Sequence, residues 1–337
     1  MRFGPVPLPD AAGAILAHSV QLPKGRLRKG RVLSAEDLAV IAAAGLSHVT
    51  VARLDPGDVE ENEAARRLAH ALVPDPGAAG LEVQDAFTGR VNIRATRAGV
   101  VEIDVVAVEA LNAVDPMVTL ATVPRWQRAW PGMMVGTVKI IAYGIANDAL
   151  TQAEAAARAA LSVRPVALKS AGLIVTEVPG SPVSPDDKGI RAVAGRLEAL
   201  GIALETVRIV AHETQAITEA LADLPGALRL ILTASATSDI HDVAPAAVVA
   251  AGGAITRFGM PVDPGNLLFL GQIGDSPVIG LPGCARSPAL NGADWVLERV
   301  ACGVEVRAAD ISAMGVGGLL KEIPTRPQPR AARNPDG

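Results

Sequence analysis

The sequence predicts an α/β protein: a doubly wound, mostly parallel, three-layer sheet domain preceded by N-terminal mixed α+β regions. Three observations predict it. From about residue 164 to 303, short aliphatic runs alternate with helix-period segments, the pattern of a parallel sheet with crossover helices. Half of the 337 residues are hydrophobic, and the excess is Ala, Val and Leu with only 2% aromatics, which suits helices packed on aliphatic sheets. Two polar loops, 233–242 and 281–287, each leave an apolar strand and lead towards a helix, so backbone N–H groups there can face an anionic ligand. The length suits two or three domains, with expected boundaries at 1–83 (mixed α+β), 84–163 (β-rich), 164–305 (α/β) and 306–337 (a partly disordered tail).

In chain order, 13–20 reads as a short strand and 24–30 as a basic, glycine-punctuated hairpin. Ser34 opens a helix with Asp37 three residues on, a capping box in which each side chain satisfies the other's orphan N–H. Leu38, Ile41 and Ala42 form that helix's apolar stripe, and Gly45 ends it. In the strand at 47–52, His48 and Thr50 face away from Val49 and Val51. A second helix is expected from near Asp58, with Glu60 and Glu61 in the first turn, where the dipole favours anions. The Pro- and Gly-containing stretch 73–77 reads as a linker. The middle region has strands at 89–95, 100–103 and 117–122, a short helix begun by Asp104, a turn at 130–132, an apolar strand at 133–143 and an Ala-rich helix to Leu161.

The third region is the most regular. A strand at 173–178 precedes a helix at 188–200 with Ile190, Val193, Leu197 and Leu200 on one face and Gly201 at its end. Strand 206–211, helix 213–224 and strand 228–233 follow. Asp242 caps a helix to Ala251, strands come at 254–258, 267–270 and 277–281, and a last helix is expected from about Ser287 to Val300. The stretch after Leu320, rich in Pro and Arg, reads as disordered.

Composition excludes several classes. The net charge of −4 and the few aromatics speak against a nucleic-acid binder, which needs a basic stripe or stacking platforms. Two cysteines, Cys284 and Cys302, are too few for a disulfide framework, and no Cys/His spacing suggests structural zinc. There is no uninterrupted apolar run long enough for a membrane span and no secretory signal. The expectation is a soluble cytoplasmic protein.

Parallel sheets bind ligands beyond the carboxyl ends of their strands. Thr176 and Glu177, residues 186–188, residues 233–242 and residues 283–287 all fall at that rim. Thr and Ser hydroxyls can hold phosphate or a heterocycle edge, Asp242 can hold Mg²⁺ bridging phosphates or orient an attacking group, and Arg286 offers a fixed cationic fork. Each residue also has a plainer use. Asp242 is a sound N-cap, Glu177 a turn residue before Pro179 and Gly180, His241 a solvated loop histidine and Cys284 a small buried filler.

The third region resembles the molybdopterin-binding domain (MoaB/Mog-like) shared by molybdopterin adenylyltransferase and molybdopterin molybdenumtransferase. The family's Thr-x-Gly-Gly loop and Arg-Asp-Val-x-Pro helix start read here as Thr233-Ala234-Ser235-Ala236 and His241-Asp242-Val243-Ala244-Pro245. Its Pro-Gly-Lys-Pro and Gly-Leu-Pro-Gly-Asn-Pro-x-Ser turns read as Asp263-Pro264-Gly265-Asn266 and residues 280–287. Thr176-Glu177 sits where a Thr-Gly-Asp-Glu element falls, and Asp187 where an Asp-Ser-Asn element falls. The likeness covers most of 165–303, with a second echo from Lys29 to Ala52. The nearest pattern is the N-terminal portion of bacterial proteins that fuse such a domain to a nucleotidyltransferase, although no segment here resembles the latter's glycine-rich loop.

The resemblance implies that the chain binds molybdopterin, or its molybdenum-loaded form, in late cofactor assembly. It places Thr176, Thr233, Ser235, Thr237, Ser238, Gly265, Asn266, Gly283, Arg286 and Ser287 on the ligand. It makes Asp242, Glu177 and Asp187 the catalytic carboxylates, with Asp242 also holding Mg²⁺. As an enzyme the chain would be a molybdopterin molybdenumtransferase- or adenylyltransferase-like transferase. Implied partners are a cofactor nucleotidyltransferase or a molybdoenzyme, and a second copy, since family members often dimerise. Three departures stand out: Ser235 and Ala236 replace loop glycines, Asn266 replaces a lysine, and Cys284 replaces an asparagine. The lost glycines and lysine favour the alternative of a non-catalytic carrier that hands the cofactor on.

Overall fold

Aliphatic runs far apart in the chain become neighbours in one six-stranded sheet. Its order is Ala203–Ala211, Ser170–Glu177, Leu228–Leu232, Ser276–Leu281, Asn266–Ile273 and Ala254–Met260. The first four strands are mutually parallel, Asn266–Ile273 runs against them, and Ala254–Met260 pairs antiparallel with it, so the sheet is mostly parallel with an antiparallel edge. The protein is seen in a computed structural model describing residues 1–263 and 265–320. Packing divides the chain into two units, Met1–Arg164 and Pro165–Gly337, and the six-stranded sheet belongs to the second.

Helices cover both faces of this sheet. Ile174, Ile231, Phe269 and Val278 form a single cluster with the helices Thr214–Ala222 and Val243–Ala250. The other face takes Lys188–Glu198 and Gly292–Ala301, joined to one another by an Arg196–Asp294 ion pair. The stripe Ile190, Val193, Leu197 and Leu200 is buried as the periodicity predicts.

The last helix departs from expectation. It starts at Gly292, and residues 283–286 form a one-turn 3₁₀ helix instead. Two local forces account for this. Ser287 precedes a proline and is held extended, while Asn291 and Asp294 form a capping box that fixes the start further on. Arg286 and Ser287 therefore lie ahead of the helix and not in its first turn. Residues 308–313 form a further short helix; the stretch from 321, expected to be disordered, lies outside the described residues.

The first unit contains two apolar cores. The strands Arg2–Pro7, His48–Arg53 and Ile15–Leu16 pair antiparallel and pack with the helix Ala35–Ala43 around Leu16, Leu33, Ile41, Val49 and Val51. The Ser34–Asp37 capping box forms as read, while Ala42 is exposed and leaves the stripe. Residues 20–27 make the small hairpin. The second core joins the helices Glu61–Leu72, Val105–Val114 and Asn147–Ala156 to the strands Leu81–Val83, Arg90–Ala95, Val118–Thr122 and Met134–Ile140.

That second core corrects two readings. Val73 is fully buried and Asp75 caps a one-turn helix, so 73–77 is no linker. Residues on either side of 83 share one core, and both lie within the unit Met1–Arg164. A third correction concerns Asp58 to Glu60, which form a strand against Gly144–Ala146 before Glu60 caps the helix. Its pairing partner lies more than eighty residues downstream, where local periodicity carries no signal. Among the described residues no helix is long and apolar enough to cross a membrane.

Candidate functional site

The chain returns from the Ala203–Ala211 strand to Leu228–Leu232 across the Ser170–Glu177 strand, so the strand order reverses beside the latter. In open α/β sheets the crevice at such a reversal is the usual ligand site. Here it is closed. The Thr176 hydroxyl, fully buried, accepts the Ala234 N–H at 2.7 Å and shares a 2.9 Å hydrogen bond with Nδ1 of His212. Thr176, near the end of its own strand, thus ties together the loops that follow the two neighbouring strands. Sequence reasoning misses His212; nothing in its local pattern marks it, because its partner comes from a neighbouring strand.

The loop 233–242 is likewise folded on itself. Thr233 donates to the Ser235 carbonyl at 2.6 Å and lies 3.4 Å from the Thr237 hydroxyl, and both threonines are buried. Ser235 and Ser238 are exposed. Asp242 accepts the Val243 N–H through one oxygen at 2.7 Å and the Ser238 N–H through the other at 2.8 Å. It is an N-cap that also braces its own loop. Among the described residues no group of three or more His, Cys, Asp or Glu side chains is placed to hold a metal ion. A lone carboxylate with both oxygens already accepting N–H bonds does not fit a protein-held Mg²⁺, so no chemistry is routed through one.

Glu177 and Asp187 sit at the same rim, and each has a structural partner. Glu177 accepts the Val183 N–H at 2.9 Å and holds the loop after its strand. Asp187 caps the Lys188–Glu198 helix through the Gly189 N–H at 2.8 Å and pairs with Arg286 at 3.2 Å. Arg286 also donates to the Thr233 carbonyl at 3.1 Å. The predicted cationic fork therefore spans two rim elements, half spent on holding them together. Gly265 is exposed, and Asn266 uses its amide locally, accepting the Leu268 N–H at 3.1 Å.

An open cleft of about 670 Å³ lies between the start of the Lys188–Glu198 helix and the 283–288 turn. Lys188, Arg191, Arg286, Gly283, Cys284 and Ser287 line it. Of the predicted ligand residues it gathers Gly283, Arg286 and Ser287, and it leaves the 233–242 loop, Gly265 and Asn266 outside its lining. The turn is anchored from below by Arg196, whose side chain is only 9% exposed. Its guanidinium pairs with Asp294 at 2.6 Å and donates to the carbonyls of Ala285, Ser287 and Ala289 at 2.8–3.1 Å. Sequence reasoning misses Arg196 too, since on the helical pattern it reads as a solvent-facing charge in the last turn.

Residues 5–53 match a family described as "Domain of unknown function (DUF8806)". No curated protein matches the chain. Among solved structures, "molybdopterin biosynthesis moea protein from Pyrococcus horikosii" is 13% identical, covers 92% of this chain and 75% of its own, and gives a TM-score of 0.30. "Molybdenum cofactor biosynthesis protein B" is 18% identical over 40% of this chain and 94% of its own, also with a TM-score of 0.30. Likenesses this distant leave the function to be argued from the residues of the site.

Proposed function

We propose that the second unit binds a phosphorylated pterin, molybdopterin or its molybdenum-loaded form, in the cleft between Lys188 and Ser287, and serves late molybdenum-cofactor assembly. The observation that carries the reading is the meeting of three cationic side chains, Lys188, Arg191 and Arg286, with the exposed Gly283 backbone in one open cleft at the carboxyl edge of a parallel sheet. The motif likeness at residues 280–287 falls on this turn, which gives the anion a chemical identity that geometry alone leaves open.

Within that reading, a carrier is favoured over a transferase. Asp242, the residue the resemblance makes the leading catalytic carboxylate, has both oxygens bonded to backbone N–H groups of its own loop, and a general base needs an unspent acceptor near its substrate. Glu177 and Asp187 each commit one oxygen to holding the rim. The carrier would hand the cofactor to a separate nucleotidyltransferase or molybdoenzyme. The deciding experiment is acid–iodine oxidation followed by pterin fluorescence on protein purified from a cofactor-proficient host. A stoichiometric signal that falls on Arg286→Ala supports the reading. Absence of signal, with no uptake of added molybdopterin, defeats it. Assays with pterin, nucleotide and molybdate then separate carriage from turnover.

A further inference from the structure

We infer that Lys188 is the anion anchor of this cleft and that the site is built for a single phosphate monoester, not a di- or triphosphate; the inference rests on the proposal that the cleft is the ligand site. The argument is one of charge already committed. Arg191 pairs with the Asp186 carboxylate at 2.7 Å and donates to the Asp186 carbonyl at 2.8 Å. Arg286 pairs with Asp187 at 3.2 Å and donates to the Thr233 carbonyl. Lys188 is exposed at the cleft and, among the described residues, its ammonium has no hydrogen-bond or ion-pair partner. Three cations facing two carboxylates leave one uncompensated positive charge, and it is on Lys188.

A phosphate monoester carries about 1.5–2 negative charges at neutral pH. One free ammonium, with Arg286 swinging part of its fork from the Thr233 carbonyl, meets that demand. Each further phosphoryl group would add negative charge that nothing in the cleft offsets, beside the carboxylates of Asp186 and Asp187, and like charges at that range repel. Lysine is well matched to this role, because its ammonium is a compact point charge that takes phosphate without fixed geometry. Gly283 completes the cleft. It is exposed, and a Cβ built there meets nothing within 4 Å, so the backbone stands bare to the ligand.

The test uses the full chain and titrates inorganic phosphate, pyrophosphate and tripolyphosphate at fixed ionic strength, followed by calorimetry or ³¹P line broadening. Phosphate should bind, and pyrophosphate and tripolyphosphate should bind no tighter. Lys188→Gln should weaken phosphate about tenfold or more, Lys188→Arg should restore most of the affinity, and Lys24→Gln in the hairpin of the first unit should change nothing. Circular dichroism melts of each variant establish that it is folded. Tripolyphosphate binding ten times tighter than phosphate, or a folded Lys188→Gln with unchanged phosphate affinity, overturns the inference. Phosphate binding that depends on Lys188 in protein that takes no pterin would overturn the pterin reading and leave the anchor standing. Pterin binding indifferent to Lys188 would do the reverse.

Discussion

At the scale of single residues, Arg196 carries more of the site than any residue that lines it. Its pair with Asp294 is almost fully enclosed, and the rest of its fork holds the carbonyls that shape the 283–290 turn. Removing one partner of such a pair strands the other, which costs about 3–5 kcal/mol. Arg196→Met should therefore lower the denaturation midpoint steeply and abolish anion binding together. Arg196→Lys should recover little, because one ammonium cannot reach three carbonyls and a carboxylate. Urea melts of the three proteins check this. Asp242 makes the opposite case. Both its oxygens serve the backbone, so Asp242→Ala should cost about 1 kcal/mol, the value of a lost cap, and leave pterin content within about twofold of the parent. A selective loss of pterin or turnover in a stably folded variant would return Asp242 to the ligand.

At the scale of elements, the glycine of the Gly280–Leu281 step owes its place to packing. Gly280 pairs with Phe269 across the antiparallel edge, and a Cβ there would run into the Phe269 ring. Gly280→Ala should destabilise by about 1–3 kcal/mol, the usual cost of overpacking, and Phe269→Leu should recover part of that loss in a double-mutant cycle. In the first unit, burial pushes the Glu61 carboxyl above its ordinary range, and the Lys139 ammonium 3.7 Å away only partly opposes it. A carboxyl raised in the folded state favours folding below its unfolded pKa, near 4.3, and that contribution is lost as pH rises through the folded value. Glu61→Gln should thus raise the melting temperature at pH 7 and leave it unchanged below about pH 4. What is legible in the sequence and what is hidden divide along the same line. Helices with a local signature, such as the Ser34–Asp37 box or the Ile190 to Leu200 stripe, are legible because each signal lies within one turn or one face. The Asp58–Glu60 strand, the Thr176–His212 tie and the Arg196 anchor are not, since each is decided by a partner distant in the chain.

At the scale of the whole molecule, the distribution of apolar cores predicts where the chain can be cut. The cluster from Ala64 to Val163 uses helix residues on one side of position 83 and strand residues on the other. A fragment beginning at 84 would lose Leu68, Leu72 and Val73, all fully buried, and expose the strands they cover. Loss of a buried Leu alone costs about 2–5 kcal/mol, against a typical domain stability of about 5–15 kcal/mol. Residues 84–163 expressed alone should therefore be insoluble or unfolded. The second unit differs, because its sheet is covered on both faces by helices of its own, from Lys188–Glu198 to Gly292–Ala301. Residues 165–320 should give one cooperative melt and, since every residue lining the cleft lies within them, bind phosphate with the affinity of the full chain. A cooperative melt with lost phosphate affinity would mean that the first unit acts on the cleft, and a non-cooperative one that the second unit needs the first in order to fold.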